Sequence, residues 1–222
     1  MCTDTIEIQD LGLKGYQEAL EIQLRYFNAL VESKRNKDSS PGREYILTVE
    51  HTPVYTLGRH GHIENVLRRI PGVDVVPITR GGDITFHGPG QLVVYPIIDM
   101  QRHNLGVKSY IHTLEEAVIR LISEYGVKGE RVEGATGVWI GVGTPRERKI
   151  CAIGVKCSRF CTMHGLALNV NTDLGWFNNI NPCGFTDKGV TSLALETGGE
   201  VDFEAVKKHF AAILKELLLS GD

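Results

Sequence analysis

Three stretches of the chain carry apolar residues at the three- and four-residue spacing of a helix face. In the first, Tyr16, Leu20, Leu24, Phe27, Leu30 and Val31 fall on one stripe. The second runs from about Lys108 to Tyr125 and repeats Ile111, Leu114, Val118, Leu121 and Ile122. The third opens at Asp202, a residue type suited to cap a helix N-terminus, and continues through Val206, Phe210, Ile213, Leu214 and Leu217. Between them lie short alternating or apolar blocks bounded by Gly or Pro, the pattern of strands. These are Tyr45 to Val49, Val73 to Thr79, Leu92 to Ile98, Gly137 to Val142, Ile150 to Lys156 and Leu166 to Asn171. Helices do not alternate regularly with these strands, and consecutive strands dominate after Val132. The pattern therefore predicts an α+β fold, a mixed β-sheet with flanking helices, not a doubly wound parallel sheet. The polar run 33–41 reads as a loop within one domain, because neither side of it has enough chain for a separate core. Residues 1–222 are expected to form a single domain.

Composition narrows the function classes. With 24 Lys and Arg against 27 Asp and Glu, the net charge is −3, and 42% of residues are apolar. A nucleic-acid-binding or disordered chain carries a stronger bias, so no nucleic-acid partner is expected. No window holds 18 uncharged apolar residues, so no membrane span or membrane partner is expected. The first ten residues lack a basic start and an apolar stretch, which argues against a secretory signal and for the cytoplasm. Cys2, Cys151, Cys157, Cys161 and Cys183 make an odd count, so reduced thiols are expected in place of a disulfide framework.

Four segments can carry chemistry. Arg80-Gly-Gly-Asp-Ile-Thr-Phe-His87-Gly-Pro-Gly-Gln91 lies between two strand blocks, and its glycines let the backbone approach a ligand closely. It also reads as an ordinary hairpin. It is not a P-loop, since no Gly-Lys-Ser/Thr follows the glycines. Lys149 opens an otherwise apolar strand, Lys149-Ile-Cys-Ala-Ile-Gly154. At a sheet edge its ammonium would reach water, whereas in a dry cleft desolvation would make it a usable acid or base. In the third segment Cys157, Cys161 and His164 invite a zinc reading. An extended chain would hold the two thiols about 13 Å apart, with His164 on the opposite face, so no metal is expected. His164-Gly165 reads instead as a strand facing the same cleft as His87. In the fourth, Asn181-Pro-Cys-Gly184 fixes a tight turn that holds the Cys183 thiol outward, while Cys151, Cys157 and Cys161 read as core filler.

These motifs, together with His51-Thr-Pro-Val-Tyr-Thr-Leu-Gly58 and His164-Gly-Leu-Ala-Leu-Asn-Val-Asn171, resemble the lipoyl(octanoyl) transferase family over about Tyr45 to Leu195. The resemblance implies a fold similar to the catalytic domain of biotin and lipoate protein ligases. It implies an acyltransferase acting early in protein lipoylation. The octanoyl group would move from octanoyl-acyl carrier protein to a lysine of lipoyl domains in 2-oxoacid dehydrogenase and glycine cleavage proteins. By the same likeness Cys183 is the thioester-forming nucleophile and Lys149 its partner. Arg80, Gly81, Gly82, Asp83, Ile84, Thr85, Phe86 and His87 would line the acyl site. So would Ala152, Ile153, Gly154, Gly165, Leu166 and Ala167, with His164 as an accessory residue. No cofactor and a monomeric enzyme are expected. Three other readings remain: an ATP-dependent lipoate or biotin protein ligase on the same fold, a non-catalytic carrier-binding module, and a thiol hydrolase pairing Cys183 with His87 or His164.

Overall fold

Strands Glu44–His51 (β2), Gln91–Ile97 (β6) and Cys161–Asn169 (β10) are buried almost throughout because both of their faces are covered. The computed structural model describes residues 6–36, 42–181 and 189–220. The remaining elements are β1 (Ile6–Lys14), α1 (Tyr16–Asn36), β3 (Val54–Leu57), β4 (Val75–Pro77) and β5 (Ile84–His87), then α2 (Val107–Ser123), β7 (Glu130–Val132) and β8 (Ala135–Ile140). They are followed by β9 (Arg148–Ser158), β11 (Gly189–Val190), α3 (Leu193–Thr197) and α4 (Phe203–Ser220).

Among the described residues the main sheet has the order β1-β2-β6-β10-β9-β8-β7, and β11 adds to β9. The β1–β2 and β11–β9 pairs are parallel and the other pairs antiparallel, so the sheet is mixed and the α+β class is as expected. Helices α2 and α4 cover one face, where Leu114, Val118, Leu121, Phe210 and Leu214 pack with Leu92, Val94, Leu166 and Leu168. Helix α1 covers the other, where Ala19, Phe27 and Leu30 meet Leu47, Val93 and Met163. Each large apolar side chain buried this way contributes about 1.5–3 kcal/mol. Asp202 caps α4 as expected, its Oδ1 accepting from the Ala205 N–H at 3.0 Å.

A second sheet, β4-β3-β5, stands beside the first with its own small core of Tyr55, Ile84, Phe86, Phe177 and Ile180. This corrects the hairpin reading of 80–91. Strand β5 pairs with β3 in the small sheet while β6 pairs with β2 and β10 in the large one, so the glycine-rich segment crosses between sheets. Helix α1 runs to Asn36, into the stretch expected to be loop. Between β9 and β10 the chain doubles back at Arg159 (φ 51°) and Phe160 (φ 65°), a two-residue hairpin turn with both residues left-handed. The chain is therefore not extended from Cys157 to Cys161, and the 13 Å spacing does not hold. Cys157 is exposed, not core filler, whereas Cys161 and Cys151 are buried.

Candidate active site

A cavity of about 420 Å³ opens where β6, β9 and β10 of the main sheet meet the 80–85 turn, the first residue of α1 and strands β8 and β11. It is lined by residues 80–85, His87, 152–154 and 165–167, together with Lys149 and His164. Phe86 is the exception among the residues expected there. Successive strand residues face opposite ways, and Phe86 turns from the cavity into the small core, stacked on Trp176 at 5.1 Å.

Two close backbone approaches give the cavity its shape. A Cβ at Gly154 would come within 2.8 Å of the Gly81 carbonyl oxygen and 3.1 Å of Arg80 Cδ, so only glycine lets the 80–82 turn rest on β9. At Gly165 a Cβ would fall 2.1 Å from the Val94 carbonyl oxygen and 2.8 Å from Pro96 Cδ. The β10–β6 ladder stops at the Leu166–Val94 pair, beside Pro96, which has no N–H to give. His164, one residue further on, adopts a left-handed φ of 59°, and its N–H turns to Gln23 Oε1 on α1 at 3.2 Å. A non-glycine residue held in that region costs about 1 kcal/mol or more, and such residues cluster at functional sites.

Around Arg80 runs a directed chain of hydrogen bonds. Its Nη2 donates to the Thr56 carbonyl (2.8 Å) and to Thr56 Oγ1 (3.0 Å), and Nη1 donates to the Gly81 carbonyl (3.0 Å). Gln91 Nε2 donates to Asn169 Oδ1 (2.9 Å) and the Phe86 carbonyl (3.1 Å), so Gln91 Oε1 must accept the proton of His87 Nδ1 at 2.8 Å. His87 Nε2 then accepts from Thr56 Oγ1 at 3.2 Å. Asn169 Nδ2 finishes the chain on the Thr191 carbonyl at 2.9 Å. Thr56, Gln91 and Asn169 are buried members of motifs visible in sequence, but nothing local marked them as partners of His87.

The imidazoles and phenols at this end of the cavity are held uncharged. Burial, with His51 and Arg80 adding, pushes His87 well below the usual imidazole range. Burial lowers His51 to about 4, and burial with the Arg80 and Lys156 charges lowers His164 to about 4. Burial raises Tyr16 to about 12 and takes Tyr95 well above the usual phenol range. His51 donates from Nδ1 to the Lys14 carbonyl (3.0 Å) and accepts at Nε2 from the Tyr95 hydroxyl (2.8 Å). Tyr16 stacks on His87, 6.2 Å between ring centroids. The helix stripe marked Tyr16 as core, and its place in the cavity wall was missed.

Lys149 sits at another end. Strand β9 is internal here, between β8 and β11, so the lysine is not an edge residue reaching for water. It pairs directly across from Trp139. Its Nζ lies 4.5 Å from the centre of the indole ring and donates to the Thr136 carbonyl at 3.3 Å. Cys183 lies outside the described residues. On one side of it the Asn181 N–H donates to the Asn65 carbonyl at 2.8 Å. On the other, Gly189 and Val190 pair with Arg148 and Lys149. No cluster of three or more His, Cys, Asp or Glu arranged for a metal ion occurs among the described residues, and no helix there is long and apolar enough to cross a membrane.

Comparison with known proteins gives a consistent picture. Residues 16–215 match the family described as the lipoyl protein ligase A/B catalytic domain. The octanoyltransferase of Parabacteroides distasonis is 51% identical over 220 residues, which cover 96% of this chain and 99% of that one. Among solved structures, the bi-partite lipoate protein ligase of Thermoplasma acidophilum superimposes with a TM-score of 0.67 at 17% identity, covering 96% of this chain and 83% of that one. The biotin protein ligase of Aquifex aeolicus does so with a TM-score of 0.51 at 14% identity, covering 98% and 71%.

Proposed function

Because the chain belongs to the lipoyl protein ligase A/B catalytic domain family, and so is an acyltransferase, we propose that it moves an octanoyl group from octanoyl-acyl carrier protein to a lysine of a lipoyl domain through a thioester on Cys183. The acceptors are the lipoyl domains of 2-oxoacid dehydrogenase and glycine cleavage proteins, and the step opens protein lipoylation. The observation that carries the reading is the strand pairing that returns the chain, just after Asn181-Pro-Cys-Gly184, to the side of Lys149 in the cavity wall.

In the first half-reaction the Cys183 thiolate, favoured by the neighbouring ammonium, attacks the thioester carbonyl. The carrier thiolate leaves and takes a proton from Lys149, which becomes a neutral amine. In the second half the acceptor amine attacks the Cys183 thioester, Lys149 takes the proton that the nitrogen sheds, and the Cys183 thiolate is regenerated. One thioester is exchanged for another and then for an amide, so neither nucleotide nor metal is required. The acyl chain would lie along β9. Val155 lies six positions beyond Lys149, about 20 Å of strand, and Ala152, Ile153 and Gly154 line the cavity between them.

The same geometry weakens the hydrolase alternative. Both nitrogens of His87 are engaged, one donating and one accepting, and His164 at about 4 is a weak base. The proposed enzyme is a monomer. A free thiol nucleophile suits the reducing cytoplasm. Intact-protein mass spectrometry after incubation with octanoyl-carrier protein tests the reading. An octanoyl adduct that maps to the Cys183 peptide and disappears on adding a lipoyl domain, without ATP, is expected. Incorporation of free octanoate that requires ATP, with no adduct, would overturn it in favour of a ligase.

A further inference from the structure

We propose that Trp139 is a positioning residue for Lys149: the face of its indole fixes the lysine ammonium at that end of the cavity and favours its charged form. The argument rests on the proposed role of Lys149 as proton donor and acceptor, and it starts from placement. Trp139 and Lys149 are directly opposed residues on β8 and β9, so their side chains share a face of the sheet. The ring is almost wholly buried, its Nε1 donating to the Ala135 carbonyl at 2.9 Å. The indole is therefore fixed before the lysine meets it. Nζ then lies 4.5 Å from the ring centre, within the range of a cation–π contact, and Trp is the strongest ring for that purpose. The Thr136 carbonyl at 3.3 Å supplies a second contact from the same strand.

Among the described residues near this pair are two ion pairs. Glu115 on α2 accepts from the Gly137 N–H (3.1 Å) and pairs with Arg131 of β7 (3.2 Å). Arg148, next to the lysine on β9, pairs with Glu196 of α3 (2.5 Å). Cys151, two residues along β9, is buried, and burial raises its thiol far above the usual range. Strand β11 brings only Gly189 and Val190. The indole attracts the ammonium through its ring face and carries no negative charge, so this contact does not itself compete with the Cys183 thiolate. A lysine held charged between turnovers favours the thiolate in the first half-reaction. It also takes the acceptor's proton more readily in the second.

The test compares Trp139→Phe and Trp139→Leu with the unaltered protein. The readout is the pH dependence of Lys149 acetylation by a dilute amine reagent, followed by peptide-resolved mass spectrometry, which involves no thiol chemistry. The leucine variant is expected to move the midpoint down by about 0.5–1.5 pH units, and phenylalanine to move it less. Circular dichroism and melting confirm that each variant is folded; if leucine does not fold, the phenylalanine shift decides alone. An unchanged midpoint in the folded variant overturns the proposal. Failure of Cys183 to form an adduct in the unaltered protein would leave these midpoints as they are and would instead sink the thioester reading.

Discussion

Replacing His164 by Asn tests whether its imidazole is kept neutral in the fold, and the effect can be worked out in advance. His164 is 2% exposed, and its folded-state value of about 4 lies below the unfolded 6.5, chiefly through burial and then through Arg80 and Lys156. Between those two values the unfolded chain binds a proton that the folded chain refuses. Stability is therefore present above the unfolded value and is lost as pH falls from about 6.5 toward about 4. At pH 5 the unfolded imidazole is almost fully protonated and the folded one only about one-tenth, which costs the fold roughly 2 kcal/mol relative to pH 7.5. Asn cannot titrate and tolerates the left-handed φ of 59° at this position. Urea unfolding of both proteins at pH 7.5 and pH 5 gives the comparison. The loss on acidification should be about 2 kcal/mol smaller in His164→Asn. The other histidines with lowered values, His51 and His87, are present in both proteins. Asp10, Glu116 and Glu196 are held below the usual carboxylate range, so their share of stability is lost only at lower pH. Equal losses in the two proteins, within about 0.5 kcal/mol, would show that His164 is charged or solvated in the fold.

Three further outcomes follow from the site. Lys149→Arg should lose more than about tenfold in transfer to a lipoyl domain, since a guanidinium stays protonated and cannot accept the acceptor's proton; near-normal turnover would remove lysine from the acid–base role. Gly81→Ala should shift donor preference toward shorter acyl chains in a competition assay. Its Cβ would meet only the Val155 carbonyl oxygen, at 3.6 Å, whereas Gly82→Val would strain a φ of 88° and disturb the fold as well; an equal fall for all chain lengths would refute pocket narrowing. Cys183→Ser should trap no thioester, while Cys161→Ser should change activity by well under about tenfold. Burial first, then Asp99, raises the Cys161 thiol to about 11, and an adduct on its peptide would be the contrary result.

What could be read from sequence follows the range of the physics involved. The α4 boundary was legible because Asp202 and the apolar stripe after it are local signals. Strands β2 and β6, and β10 from Leu166 onward, were legible because burial on both faces leaves an apolar run in any context, whereas the polar start of β10 at Cys161 gave no such run. The second sheet was not, because β3 and β5 are four-residue strands whose partners are set by long-range pairing. The β9–β10 turn was hidden for a different reason. Arg159 and Phe160 carry none of the Gly or Asn preference of a left-handed hairpin turn, so an extended chain was the natural inference and the Cys157–Cys161 spacing came out wrong. Lys149 shows the limit most clearly. Whether a strand lysine reaches water or faces a cavity depends on whether its strand is internal, and that depends on β11, which arrives some 40 residues later in the chain.

The two ends of the cavity solve opposite electrostatic problems with the same kind of material. An acyl chain has no charge to offer its pocket, yet the wall beneath α1 holds Tyr16, His87, Tyr95 and His164 beside a buried guanidinium. Arg80 disperses its charge over two carbonyls and a hydroxyl, and its field helps keep His87 and His164 neutral. Polar side chains fixed as neutral donors and acceptors can be desolvated at modest cost because their partners are other protein groups. At the Lys149 end the cation rests on an aromatic face and one carbonyl, contacts that hold an ammonium without neutralising it. One cavity can thus hold a neutral chain at one end and a charge-dependent proton transfer at the other, with carbonyl and hydroxyl dipoles among the contacts of Arg80 and an aromatic face among those of Lys149.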